Sequence, residues 1–122
     1  MYIYNDYKYL QDLLQLSNYI KNIFNLIIDI PIKFNKKLFI KYDDNLNKMI
    51  FQHVKYKYNK YILIEENEKF DIYISNKECI IYNKKIKLMN NHFNFFINFF
   101  IIHYIIYKYL KINNINPDIP IY

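Results

Sequence analysis

The chain contains no glycine and no tryptophan, and alanine, arginine and threonine are missing as well. Without glycine, no loop can wrap bare backbone amides around a phosphate or build the sharp elbow that presents a catalytic serine. Without arginine there is no planar fork for bidentate contacts to phosphate or guanine. Nucleic-acid recognition, if any, must then use lysine point charges, asparagine amides and aromatic stacking. The single cysteine, Cys79, cannot form an internal disulfide. The opening MYIYNDYKYL lacks the basic stretch and small-residue cleavage site of a secretory signal, and the Arg and Ser of an imported organellar precursor.

What fills the chain is Ile, Lys, Asn, Tyr and Phe. Their codons carry only A or T in the first two positions, whereas Gly, Ala and Trp need G or C there. The composition therefore points to an extremely AT-rich genome, of an organelle, endosymbiont, large virus or cytoplasmic plasmid, and discounts aromatic or Asn counts as functional signals. At 122 residues the chain fits one domain with a real core, and 53% hydrophobic residues exclude a disordered tail. A net charge of +6 and a pI near 9.2 suit an anionic partner: RNA, DNA or a lipid surface.

Apolar residues from Leu10 to Ile28 recur at three- and four-residue spacing opposite Lys8, Asp12, Gln15 and Lys21. This predicts an amphipathic helix from Asp6 to Ile28, capped by Asn5 and stopped before Pro31. From Pro31 to Met89 the pattern reads as five strands, KLFIKY, KMIFQHVKYKY, KYILIEE, KFDIYIS and KECIIY, with KIKLM as a short extension. With no glycine for the turns, Asn45, Asn59, Asn67, Asn76 and Asn83 are the expected turn residues. As a strand, KYKY at 55–58 would present Lys55 with Lys57 and Tyr56 with Tyr58. A second helix is expected over His92–Leu110, in an uncharged run from Leu88 to Tyr107 long enough to span a membrane. Asn90, Asn91, His92, Asn94, Asn98 and His103 interrupt that run and favour a helix buried on a sheet. The expected fold is one α+β domain over 1–122, a small, mostly antiparallel sheet (30–89) flanked by an N-terminal amphipathic helix (1–28) and a buried C-terminal helix (91–111). Residues 112–122 form an extended tail.

No catalytic constellation is visible. His53, His92, His103 and Cys79 have no tight ligand spacing, so neither a metal nor another cofactor is expected. Ser17 and Ser75 lack a nucleophile context, and Asp43, Asp44, Glu65, Glu66 and Glu68 flank expected turns as solvated acids. The remaining pattern is basic and aromatic. Lys33, Lys36 and Lys37 precede the first strand, Lys55, Lys57 and Lys60 mark the second and third, and Lys84, Lys85 and Lys87 follow the fifth. These are candidate phosphate contacts, with Tyr56 or Tyr58 offering a stacking face to RNA.

From Ile30 onward, IDIPIKF, LFIKYDD, KMIFQHVKYKY, YILIEEN, KFDIYIS and NKECIIY, then HFNFFINFFIIHYIIYKYLKI, the order resembles the first domain of the large-subunit ribosomal protein L-six. That family opens with an Ile-Pro segment, runs five short strands and follows them with an amphipathic helix. The resemblance covers about residues 29–115. It departs from the family in having YKYN where a Gly-Pro-Lys-Gly turn belongs, a preceding helix, and no second domain. It implies a non-catalytic subunit of a mitochondrial ribosome in the matrix, contacting rRNA and neighbouring ribosomal proteins in a hetero-oligomeric assembly. Two other readings remain open: an accessory subunit of a respiratory membrane complex with 88–107 as its span, and a small viral or plasmid protein that binds a host partner.

Overall fold

The computed structural model describes residues 6–89 and 93–116. The Asn5 cap, His92 and the tail beyond 116 lie outside the described residues. Contacts divide the chain into two compact units, Met1–Ile30 and Pro31–Tyr122. The first holds α1, Asp6–Ile27. Its end follows from Pro31: Ile28 N–H still reaches Phe24 O at 2.9 Å and Ile30 N–H reaches Ile27 O at 3.1 Å, but Pro31 has no N–H to continue the ladder. Leu10 and Leu14, part of the expected apolar stripe, are exposed.

The second unit runs β1 (Lys37–Tyr42), α2 (Asn45–Tyr58), β2 (Leu63–Glu66), β3 (Ile72–Ile74), β4 (Glu78–Ile81), β5 (Lys84–Lys87) and α3 (Asn94–Ile112). The protein is α+β, with a five-stranded sheet in the order β2-β1-β3-β4-β5. The strands β3, β4 and β5 form an antiparallel meander, whereas β1 pairs in parallel with both β2 and β3. A parallel neighbour requires a crossover, and α2 supplies the one from β1 to β2.

That helix corrects the expected second strand. KMIFQHVKYKY lies within α2, and the fifth strand is instead the KIKLM region. The physical reason can be read from two features. Asp44 is extended and its carboxylate accepts from Asn47 N–H at 2.8 Å, capping the helix. Asn47, Ile50, Phe51, Val54 and Tyr58 then bury one helical stripe, a period that overrides the local alternation of KYKY. The five-strand order behind the resemblance to L-six is accordingly interrupted by helix at 45–58.

The strands β2 and β3 share β1 end to end. The first pairs with Lys37–Ile40 and the second with Ile40–Tyr42, so the link 67–71 carries the chain across β1. Asp71 fastens the crossing: its carboxylate accepts from Phe39 N–H at 2.9 Å, and its own N–H donates to Phe39 O at 2.8 Å. Below this, Leu38 and Ile40 of β1, with Ile64, Ile72, Ile74 and Ile81, form a fully buried layer against Ile50 and Val54 of α2. Ile97, Ile101 and Ile105 of α3 are also buried, and α3 packs beside α2 as the expected core helix.

Positive φ falls on Lys36 (60°), Tyr82 (56°) and Asn114 (55°), not on the five asparagines expected in turns. Asn45 opens α2, and Asn59 ends it in right-handed helical geometry. The conformation at Lys36 and Tyr82 is imposed by the tertiary bonds that hold them, described next.

Candidate nucleic-acid interface

The segment 33–36 crosses the end of the sheet at which β1 and β2 begin, held by two tyrosines from distant elements. Lys33 N–H donates to Tyr82 Oη at 2.8 Å, and Lys36 N–H donates to Tyr109 Oη at 2.9 Å. Phe34, buried between these anchors, stacks on Tyr109 with ring centroids 4.6 Å apart. Lys36 O in turn accepts from Leu63 N–H at 2.8 Å, joining the segment to the start of β2. Half-burial raises the Tyr82 hydroxyl above its ordinary value, and the donated backbone N–H of Lys33 partly offsets this. Both tyrosine hydroxyls act here as hydrogen-bond acceptors.

These bonds decide which predicted lysines meet. Lys33, Lys36 and Lys37 lie on or beside the segment. Lys60 lies three residues before Leu63, and Lys84 lies two after Tyr82. The bonds thus bring the stretches that carry Lys60 and Lys84 to the segment that carries Lys33 and Lys36. The last turn of α3 carries Lys111, over the Tyr107 ring, which the sequence pattern did not single out. There, Tyr107, Leu110, Lys111, Asn114, Ile115 and Asn116 line an open recess of about 340 Å³.

Other members of the predicted set are elsewhere. Tyr58 is buried and hydrogen-bonded to His103 Nδ1 at 2.7 Å, so it offers no ring to a base. Tyr56 is 84% exposed and can. Because 55–58 is helical, Lys55 and Lys57 point about 200° apart around the axis and do not present together. Lys85 lies on β5, ion-paired to Glu78 at 3.0 Å, and Lys87 stands opposite Glu78 in the ladder. The outward face of the sheet is charge-balanced in the same way, with Lys37 at 3.5 Å from Glu65 and Lys41 at 3.0 Å from Glu68.

Two further clusters went unseen in the sequence. Asp44 accepts from the side-chain amides of Asn47 at 2.9 Å and Asn76 at 2.7 Å, and the buried Asn98 amide donates to Ser75 O at 2.8 Å and Asn47 Oδ1 at 3.2 Å. Asn94 donates to Asn76 O and Met89 O, tying the start of α3 to the same place. These asparagines bind one another and the backbone, which makes them a clamp between α2, α3 and the β3–β4 turn. Separately, His53 and His103 stand 5.5 Å apart between centroids, with Phe99 against both. Burial, then Lys57 and His53, hold His103 down to about 4; burial and Lys57 lower His53 too. A cationic neighbourhood opposes metal binding as it opposes protonation, and among the described residues no group of three or more His, Cys, Asp or Glu could hold an ion. Cys79 is fully buried and pushed up to about 12, hence unreactive.

Compared with known families, curated proteins and solved structures, the chain matches none.

Proposed function

We propose that this protein is a non-catalytic, RNA-binding subunit of a larger assembly, and that it holds the phosphate backbone on the rim formed by Lys33, Lys36, Lys60 and Lys84, Lys37 being paired with Glu65. The observation that carries the reading is the anchored 33–36 segment, which draws lysine-bearing stretches together, whereas Lys41 and Lys85 are paired with Glu68 and Glu78 elsewhere on the sheet. Lysine-only contacts follow backbone and shape, with little discrimination between bases. Tyr107 and the asparagine amides of the neighbouring recess supply a ring edge and polar groups for an unstacked base. The resemblance to L-six names the specific version, a divergent mitochondrial large-subunit protein on rRNA. A membrane-spanning α3 is disfavoured, because Asn94 and Asn98 would have to leave their bonds to Asn76, Met89, Ser75 and Asn47.

Fluorescence anisotropy of the full chain with single-stranded RNA tests the proposal. About four phosphate contacts give a log–log salt slope of roughly minus three, and each of Lys36→Gln and Lys60→Gln reduces it by nearly one. Lys41→Gln, on the charge-balanced face, leaves the slope unchanged. Absence of binding at low salt, or equal effects of all three substitutions, rejects the rim. Sedimentation of a tagged chain with large-subunit rRNA separates the ribosomal version from RNA binding in general.

A further inference from the structure

The helical layer carries a second surface, distinct in composition from the sheet. From Asp44 to Glu65, and after Glu78 as far as Asn116, there is no acidic residue, so α2 and α3 carry lysine as their sole charged type. The two helices run side by side in the same direction, as the contacts Asn47 to Asn98 and Tyr58 to His103 require. At the N-cap of α3 and along it, Phe93, Phe96, Phe100 and Tyr107 recur at intervals of three, four and seven and are each about half exposed. On α2, Leu46 and Met49 are similarly exposed. Lysine ammonium groups lie over aromatic rings of α3: Lys108 Nζ is 5.6 Å from the Tyr104 centroid and Lys111 Nζ 5.8 Å from that of Tyr107.

We infer that the outer face of α2 and α3 docks peripherally on an anionic phospholipid bilayer, aromatic side chains entering the interface and lysines meeting the headgroups. Charge complementarity selects this occupant. A second copy would bring lysine onto lysine with no acid to meet it, and an RNA would leave the phenylalanines facing a charged backbone. A bilayer satisfies both parts, since interfacial aromatics and snorkelling lysines act at adjoining depths. The inward face of α3 is committed to the core, so the helix lies on the membrane and does not cross it. This surface involves different residues from the RNA rim, except at the end of α3, where Tyr107 and Lys111 also border the recess, and does not rest on the RNA reading.

The test is co-sedimentation of the full chain with vesicles of phosphatidylcholine alone and of phosphatidylcholine with phosphatidylglycerol in equal parts. Binding is expected only to the anionic vesicles, weakening with salt and reversed by alkaline carbonate. Phe96→Ser with Phe100→Ser should weaken partitioning roughly tenfold or more. Lys111→Gln should weaken it about fivefold, a test that survives if the phenylalanine variant fails to fold. Failure to bind anionic vesicles overturns the proposal, as does binding indifferent to both sets of substitutions. Retention through carbonate overturns it in favour of a span. A dimer in light scattering that the phenylalanine variant abolishes overturns it in favour of a second copy, and a tenfold loss of RNA affinity in that variant assigns the face to nucleic acid.

Discussion

At the scale of single residues, burial converts ordinary side chains into fixed parts of the scaffold. The pair Tyr58 and His103 illustrates how. The tyrosine hydroxyl meets Nδ1 at 2.7 Å, while Nε2 is buried with no hydrogen-bonding partner. A proton on that ring would be poorly solvated and close to Lys57 and His53, which is why the native state keeps His103 neutral down to about 4 instead of 6.5. Between those two values the unfolded chain takes up a proton that the native chain refuses, so acidification favours unfolding. The stability tied to His103 is intact above about 6.5, falls through that window, and falls no further on this account below about 4. Urea midpoints measured across this range should therefore decline less steeply for His103→Gln than for the unaltered chain. Parallel pH profiles for the two would remove His103 as the cause. In the sequence Tyr58 has the pattern of a stacking residue because its neighbours alternate, and nothing local distinguishes it from Tyr56. Only the partner 45 positions away does so.

At the scale of elements, α2 is the informative case. Its sequence has a usable strand alternation at 55–58 and a helical stripe from Asn47 to Tyr58, and short stretches commonly satisfy both periods. The decision rests on the start of the segment. Asp44 caps α2 and also accepts from Asn47 and Asn76 side chains, linking the helix to the β3–β4 turn. Asp44→Ala should cost about 1–2 kcal/mol, the upper part of the range for a lost cap because two further donors lose their acceptor. Asp44→Asn should retain much of this, since an amide oxygen still caps. Thermal or urea unfolding of the two variants checks the order; equal losses would mean that the carboxylate charge, and not the cap geometry, is what stabilises. By contrast α1 and α3 were legible directly. Their periodicity or uniform apolarity is long, and Pro31 leaves one place for α1 to end. The class of fold, α+β, was legible for the same reason.

At the scale of the whole molecule, charge is sorted by layer. The strands and their links carry lysine with acid, and α2 and α3 carry lysine without it. The 33–36 segment is anchored by two tyrosine hydroxyls, which gives a test separate from lysine substitution. Tyr82→Phe and Tyr109→Phe each remove one acceptor from the 33–36 segment, at about 1 kcal/mol of stability. RNA affinity should drop several-fold in each although net charge is unchanged, because the lysines are no longer held together. Titration of RNA with both variants, under conditions where circular dichroism finds them folded, measures this. Unaltered affinity would mean that the segment is dispensable for binding.

The sequence alone determined the chemical vocabulary of this protein: lysine without arginine, loops without glycine, a lone thiol, and a positive balance that suits an anionic partner. It also determined the two long helices and most strands, since each depends on neighbours within a few positions. Tertiary structure decided α2 against a strand, positive φ at Lys36 and Tyr82, the pairing of His53 with His103, and which lysines share a rim. Each of these depends on contacts between residues tens of positions apart. Their free energy comes from burial and hydrogen bonds that exist only once the sheet has brought those residues together, so no local pattern in the chain could carry it.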